Sequence, residues 1–89
     1  MRLFYFIGGP KAGEAEEFFR RLRQVGGTPP SWRIYPHAVN DGRALHMVEV
    51  ESPQEILNHL QHFDDIYEHT EIVEILENHS RSDEKESAP

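Results

Sequence analysis

Apolar residues run unbroken from Leu3 to Ile7, LFYFI, and stop at Gly8-Gly9-Pro10. Successive side chains of a strand point to opposite faces, so this pattern predicts a strand over residues 2–7 that is apolar on both sides. From residue 14 the period changes. In EAEEFFRRLRQV, residues 14–25, Ala15, Phe18, Phe19, Leu22 and Val25 recur at helical spacing and give one apolar stripe. Glutamates fill the first turn of this helix and arginines its later half, which suits the macrodipole. Glu16–Arg20 and Glu17–Arg21 are favourable i,i+4 pairs. Gly26-Gly27 and then Pro29-Pro30 end the helix.

Residues 31–39, SWRIYPHAV, and 43–51, RALHMVEVE, read as two strands, with Asn40-Asp41-Gly42 as a three-residue hairpin loop. Pro36 lacks an N–H, which assigns the first of them to a sheet edge or to a bulge. Ser52-Pro53-Gln54-Glu55 has the form of a capping box with Pro at N1. The helix it opens carries Ile56, Leu57, Leu60 and Phe63 on one face and ends near Asp64-Asp65. Residues 69–76, HTEIVEIL, form a last strand, with Ile72 and Leu76 on one side and Val73 and Ile75 on the other. From Glu77 the apolar periodicity is lost, and 77–89 is expected to be a disordered acidic tail.

The order β-α-β-β-α-β predicts an α+β domain over residues 1–76: a ferredoxin-like split βαβ with a four-stranded antiparallel sheet. Right-handed crossovers put both helices on one face, so the second apolar face of the first strand has no helix to cover it. A domain of this size buries only about 60% of its unfolded surface. The 89 residues include no cysteine, so disulfide staples and thiolate metal sites are excluded. Association remains as the way to extend the core, and a homodimer packed sheet against sheet is the expectation.

A sheet of this kind, apolar on both faces, resembles the dimeric α/β-barrel superfamily. GGTPPSWRIY (Gly26–Tyr35), VEVESPQEIL (Val48–Leu57), His62-Phe63-Asp64-Asp65 and EIVEI (Glu71–Ile75) are similar to corresponding stretches of a small, uncharacterised bacterial family within it. The stretch Trp32-Arg33-Ile34 with a downstream His more faintly resembles the muconolactone isomerases. The superfamily includes cofactor-independent monooxygenases, isomerases, haem-handling proteins and stress proteins. The resemblance therefore implies the fold and the dimer but does not choose a reaction.

Net charge at pH 7 is −7, with no basic stripe, which argues against a nucleic-acid partner. No segment has the roughly 18 apolar residues that span a bilayer, and the first apolar run is too short for a signal peptide. A cytoplasmic location follows as an expectation.

Candidate chemistry gathers on the hairpin. With the three-residue loop, Ala38 is expected opposite Ala44 and Ile34 opposite Val48. Arg33, Tyr35, His37, Leu45, Met47 and Glu49 then share one face, a mixture of polar and apolar groups that suits a pocket wall. His37 is the candidate acid–base group, with Tyr35 and Arg33 orienting an enolic or anionic oxygen. Trp32, His46, Tyr5 and Met47 are the candidate binding residues. Each also has an ordinary packing role. A two-residue loop would instead make His37 and His46 cross-strand neighbours.

The cluster HLQHFDDIYEH, residues 59–69, lacks the i,i+4 His spacing of a helical metal site and reads as a solvated helix end. Gly8-Gly9-Pro10-Lys11 and Gly13 match neither phosphate-loop spacing and read as a turn. The leading expectation is a small-molecule pocket walled by the hairpin and first strand, binding an apolar or aromatic ligand. If it is catalytic, the expectation is proton transfer as in an isomerase or monooxygenase, without metal or organic cofactor. The alternatives are a non-enzymatic assembly module and a haem or metal handler using His37 or His46.

Overall fold

The computed structural model describes residues 1–39 and 41–76, and the acidic tail expected over 77–89 lies outside them. The elements are β1 (Arg2–Pro10), α1 (Ala15–Gln24), β2 (Trp32–Pro36), β3 (Ala44–Val50), α2 (Pro53–Leu60), a 3₁₀ turn (Gln61–Phe63), β4 (Tyr67–His69) and β5 (Val73–Ile75). All strand pairings are antiparallel, in the order β2-β3-β1-β4 with β5 also on β1. This α+β sheet fits a ferredoxin-like arrangement.

Even-numbered residues of β1 and β3 face the helices. Phe4, Phe6, Val48 and Val50 are buried against Ile56, Leu60, Phe63, Ile66 and Tyr67, with Phe18, Leu22, Trp32 and Ile72 packed around them. Odd-numbered residues form the other face. Leu3, Tyr5, Ile7, Leu45 and Met47, with Val73 and Ile75 of β5, stay half-exposed there among the described residues. The apolar run LFYFI thus supplies both faces, and among the described residues no helix covers the second.

α2 starts as its sequence predicts. The Ser52 hydroxyl accepts from the Gln54 N–H at 3.2 Å, with Pro53 at N1. The Glu55 carboxylate accepts from the Glu51 N–H at 3.1 Å, one residue upstream of the usual capping-box partner. α1 is held differently. None of its residues is buried, and Phe19 is 51% exposed. Charge ties it down: Arg21 donates to Glu17 at 2.8 Å and to Asp65 at 2.7 Å, across to the segment after α2. Glu17 also pairs with Arg20, at i,i+3.

Three expectations need correction. First, the hairpin register: Ile34 pairs with His46 and Pro36 with Ala44, not Ile34 with Val48. Ala38 has no strand partner, since the ladder ends at the His37 N–H donating to the Arg43 carbonyl at 3.1 Å. The loop is longer than Asn40-Asp41-Gly42, and the shift of two residues keeps every side chain on its expected face. Pro36 closes an edge strand.

Second, the last strand is two pieces. Tyr67–His69 pairs with Gly8–Pro10, and Val73–Ile75 pairs with Leu3–Tyr5. Between them Thr70, Glu71 and Ile72 oppose only Phe6 and Ile7, which is a β-bulge. Thr70 patches it: its N–H donates to the Ile7 carbonyl at 2.8 Å, and its hydroxyl accepts from the Ile7 N–H at 2.9 Å. Third, Gly8-Gly9-Pro10 is no turn but the end of β1.

Candidate functional site

The cavity that matters lies between the sheet and the helices at the Gly8 end of β1, and its volume is about 160 Å³. It exists because the sheet is bare there. Gly8, Gly9 and Ala44 contribute almost no side chain, while Phe18, Phe19 and Leu22 of α1 and Leu60 and Phe63 beyond them form the roof. Trp32, Ile34 and His46 close the hairpin side, and Tyr67 closes the β4 side.

His46 is the polar centre of this apolar space. It is 8% exposed and stacks on Phe6, rings 4.5 Å apart and 7° from parallel, with the edge of Trp32 6.0 Å away. Its Nδ1 lies 3.0 Å from the Ala44 carbonyl oxygen. A carbonyl oxygen only accepts, so Nδ1 carries the proton. Burial lowers the His46 pKa, which favours the neutral ring and leaves Nε2 with an available lone pair.

Two further ionisable side chains line the cavity. His59 packs on Trp32 at 4.9 Å, and burial, with His62 nearby, lowers its pKa. Tyr67 is 7% exposed, stacks on Phe18 at 5.3 Å, and has its phenol pushed up by burial. The Tyr67 hydroxyl sits 2.8 Å from where a Cβ on Gly8 would stand, directly over the cavity floor.

The candidates named from sequence divide by face. Trp32 and His46 line the cavity. Arg33, Tyr35, Tyr5 and Met47 lie on the uncovered face, with Tyr35 48% exposed. His37 sits at the hairpin end, its Nδ1 3.2 Å from Asp41, and does not line the cavity. His37 and His46 are not cross-strand neighbours. Tyr67 and His59 were missed. The usable signal for His46 was a histidine inside an otherwise apolar stripe, Ala44, Val48 and Val50. Tyr67 gave no comparable signal, because it falls in a strand of three residues.

Among the described residues no group of three or more His, Asp or Glu side chains could hold a metal ion, and no helix is long and apolar enough to cross a membrane.

Buried His46 and half-buried His59 predict a pH dependence. Their folded pKa values lie below the ordinary 6.5, so the unfolded chain takes up protons first as pH falls. Stability should be level above pH 6.5 and decline as pH drops through 6.5 toward the lowered folded values. Urea midpoints at pH 7.5, 6.5 and 5.5 measure this. His46→Phe should flatten the decline, and an unchanged slope in that variant contradicts the assignment.

The chain matches no protein-family model, no curated protein and no solved structure.

Proposed function

We propose that this protein binds a small, largely apolar molecule in the cavity between sheet and helices, with His46 as its proton acceptor. One observation carries the reading: a buried imidazole, its tautomer fixed by the Ala44 carbonyl, is set in an apolar cavity at the bare end of the sheet. Proton transfer is the chemistry such a group supplies. His46 takes the acid–base role that sequence pattern gave to His37, and Tyr67, kept protonated by burial, is a hydrogen-bond donor lining the same cavity.

Filling the cavity tests the reading. Ala44→Leu adds side chain where the floor is bare, so the usual overpacking cost of about 1–3 kcal/mol should fall below about 1 kcal/mol. The same variant should abolish the chemical-shift changes that benzene or indole produces at Trp32, His46 and Phe63 of the wild-type chain. If neither these rings nor phenol moves those resonances in the wild type, the cavity is not a ligand site.

The uncovered sheet face supports a second reading, assembly, which is compatible with the first. Leu3, Tyr5, Ile7, Leu45 and Met47 form a continuous apolar area across two paired strands, and Val73 and Ile75 extend it. We propose that a second copy covers it, giving a sheet-to-sheet homodimer of the dimeric α/β-barrel kind. Arg33 and Glu49 lie on this face with opposite charges, which suits a two-fold contact. Sedimentation equilibrium should give twice 10.4 kDa for the wild type and 10.4 kDa for Met47→Glu. A wild-type monomer at 100 µM (~0.1 mM) removes the assembly reading and leaves the cavity reading standing.

A further inference from the structure

We infer that the ligand of this cavity is an uncharged, single-ring compound with a ring hydroxyl that donates to His46, and that carboxylate-bearing analogues are excluded. This rests on the cavity being a ligand site and deepens that reading to a chemical class. Size comes first. An enclosed apolar cavity of about 150 Å³ holds one benzene ring, and this half-open one, at about 160 Å³, has room for one. Aromatic walls from Phe18, Trp32, Phe63 and Tyr67 suit a flat ring.

Charge decides next. Among the described residues the cavity lining contains no lysine, arginine, aspartate or glutamate, and its ionisable side chains are His46, His59 and Tyr67. A carboxylate entering here would lose its hydration with no cation to meet it, which is the costly case for a buried ion. Burial holds both histidines low and the phenol high, so all three favour their neutral forms near pH 7.

Polarity fixes the functional group. With Nδ1 committed to the Ala44 carbonyl, the His46 ring can offer only an acceptor at Nε2. A ring hydroxyl supplies the missing donor, and its oxygen can in turn accept from the Tyr67 hydroxyl. A ring without a hydroxyl makes neither hydrogen bond, and sites built on a hydrogen bond disfavour such analogues.

The experiment is an NMR titration of the full chain, labelled with ¹⁵N-histidine, at pH 7 with four probes: phenol, 4-methylphenol, toluene and benzoate. Phenol and 4-methylphenol should bind and shift the His46 Nε2 resonance. Toluene should bind at least tenfold more weakly without that shift, and benzoate should not bind. His46→Phe keeps a ring on Phe6 and should bring phenol down to the affinity of toluene. Toluene equal to phenol, or benzoate within tenfold of it, overturns the inference while the cavity remains a ligand site. Silence from all four probes overturns both. The wild-type series decides the matter even if His46→Phe fails to fold.

Discussion

Phe6→Ala is expected to cost about 3–5 kcal/mol, the range for deleting a fully buried aromatic ring. Phe6 has no exposed surface and sits in the middle of the central strand. It touches His46 by its face, 4.5 Å between centroids, and Trp32 and His69 by edges at 5.8 and 5.7 Å. At about 0.05–0.15 kcal/mol per residue a chain of this length has roughly 4–13 kcal/mol in total. The loss is therefore a large share of the whole. With a urea slope near 1.5 kcal/mol/M the midpoint should fall by roughly 2–3 M. Phe6→Leu keeps most of the volume and should cost far less.

The leucine variant should nevertheless release the His46 ring from its stack and admit water. The lowered His46 pKa then moves back up toward 6.5. Stability and pKa are separate readouts of one side chain, and the two variants separate them. A midpoint for Phe6→Ala within about 0.5 M of wild type means that the ring is not the keystone of this sheet.

The order of elements was legible because two periods alternate cleanly along the chain. Residues 14–25 and 53–63 keep apolar groups at three- and four-residue spacing, while LFYFI and ALHMVEV carry runs or alternation suited to strands. Which residues share a face of the hairpin was legible too, and for a definite reason. The observed register differs from the expected one by two, and only an odd shift exchanges faces. Register itself was hidden, because Asn40-Asp41-Gly42 suits a tight loop, whereas the actual loop packs its Gly42 carbonyl against Gly9, far away in sequence.

The end of the chain was harder. A one-residue bulge at Thr70–Ile72 exchanges faces partway along the edge, so Tyr67 and His69 point to the helix side on odd numbers and Ile72 on an even one. A period-two reading started from Ile72–Leu76 extends wrongly through the bulge and loses Tyr67. The site suffered from the same blindness. Arg33, Tyr35 and His37 are grouped by alternation, which finds residues on one face but not which face has a cavity over it. The cavity depends on the small side chain of Ala44 and on α1, none of whose residues is buried.

Gly9→Ala is expected to destabilise the protein by about 1–3 kcal/mol, at the upper end or beyond, because its new methyl group meets backbone. A Cβ there would lie 2.0 Å from the Gly42 carbonyl oxygen, 3.0 Å from its carbon and 3.1 Å from the Arg43 Cα. No rotamer change relieves a contact with main chain, so the hairpin loop itself must lift away. Gly42 lines the cavity, and Asp41 beside it holds His37 and accepts from the Arg43 N–H at 3.0 Å. The displacement should therefore appear as amide shifts at Gly42 and Arg43 as well as in the urea midpoint. Gly13→Ala is the control: its φ is +82° and a Cβ there meets nothing within 4 Å, so only the left-handed backbone cost of about 1–2 kcal/mol applies. Gly9 carries no such backbone demand, since its φ is not positive. If crowding against the loop is what requires glycine at position 9, Gly9→Ala moves the Gly42 and Arg43 resonances and Gly13→Ala leaves them in place. Matching spectra from the two variants would show that the loop does not rest on Gly9, and the cavity would then need another explanation for its open end.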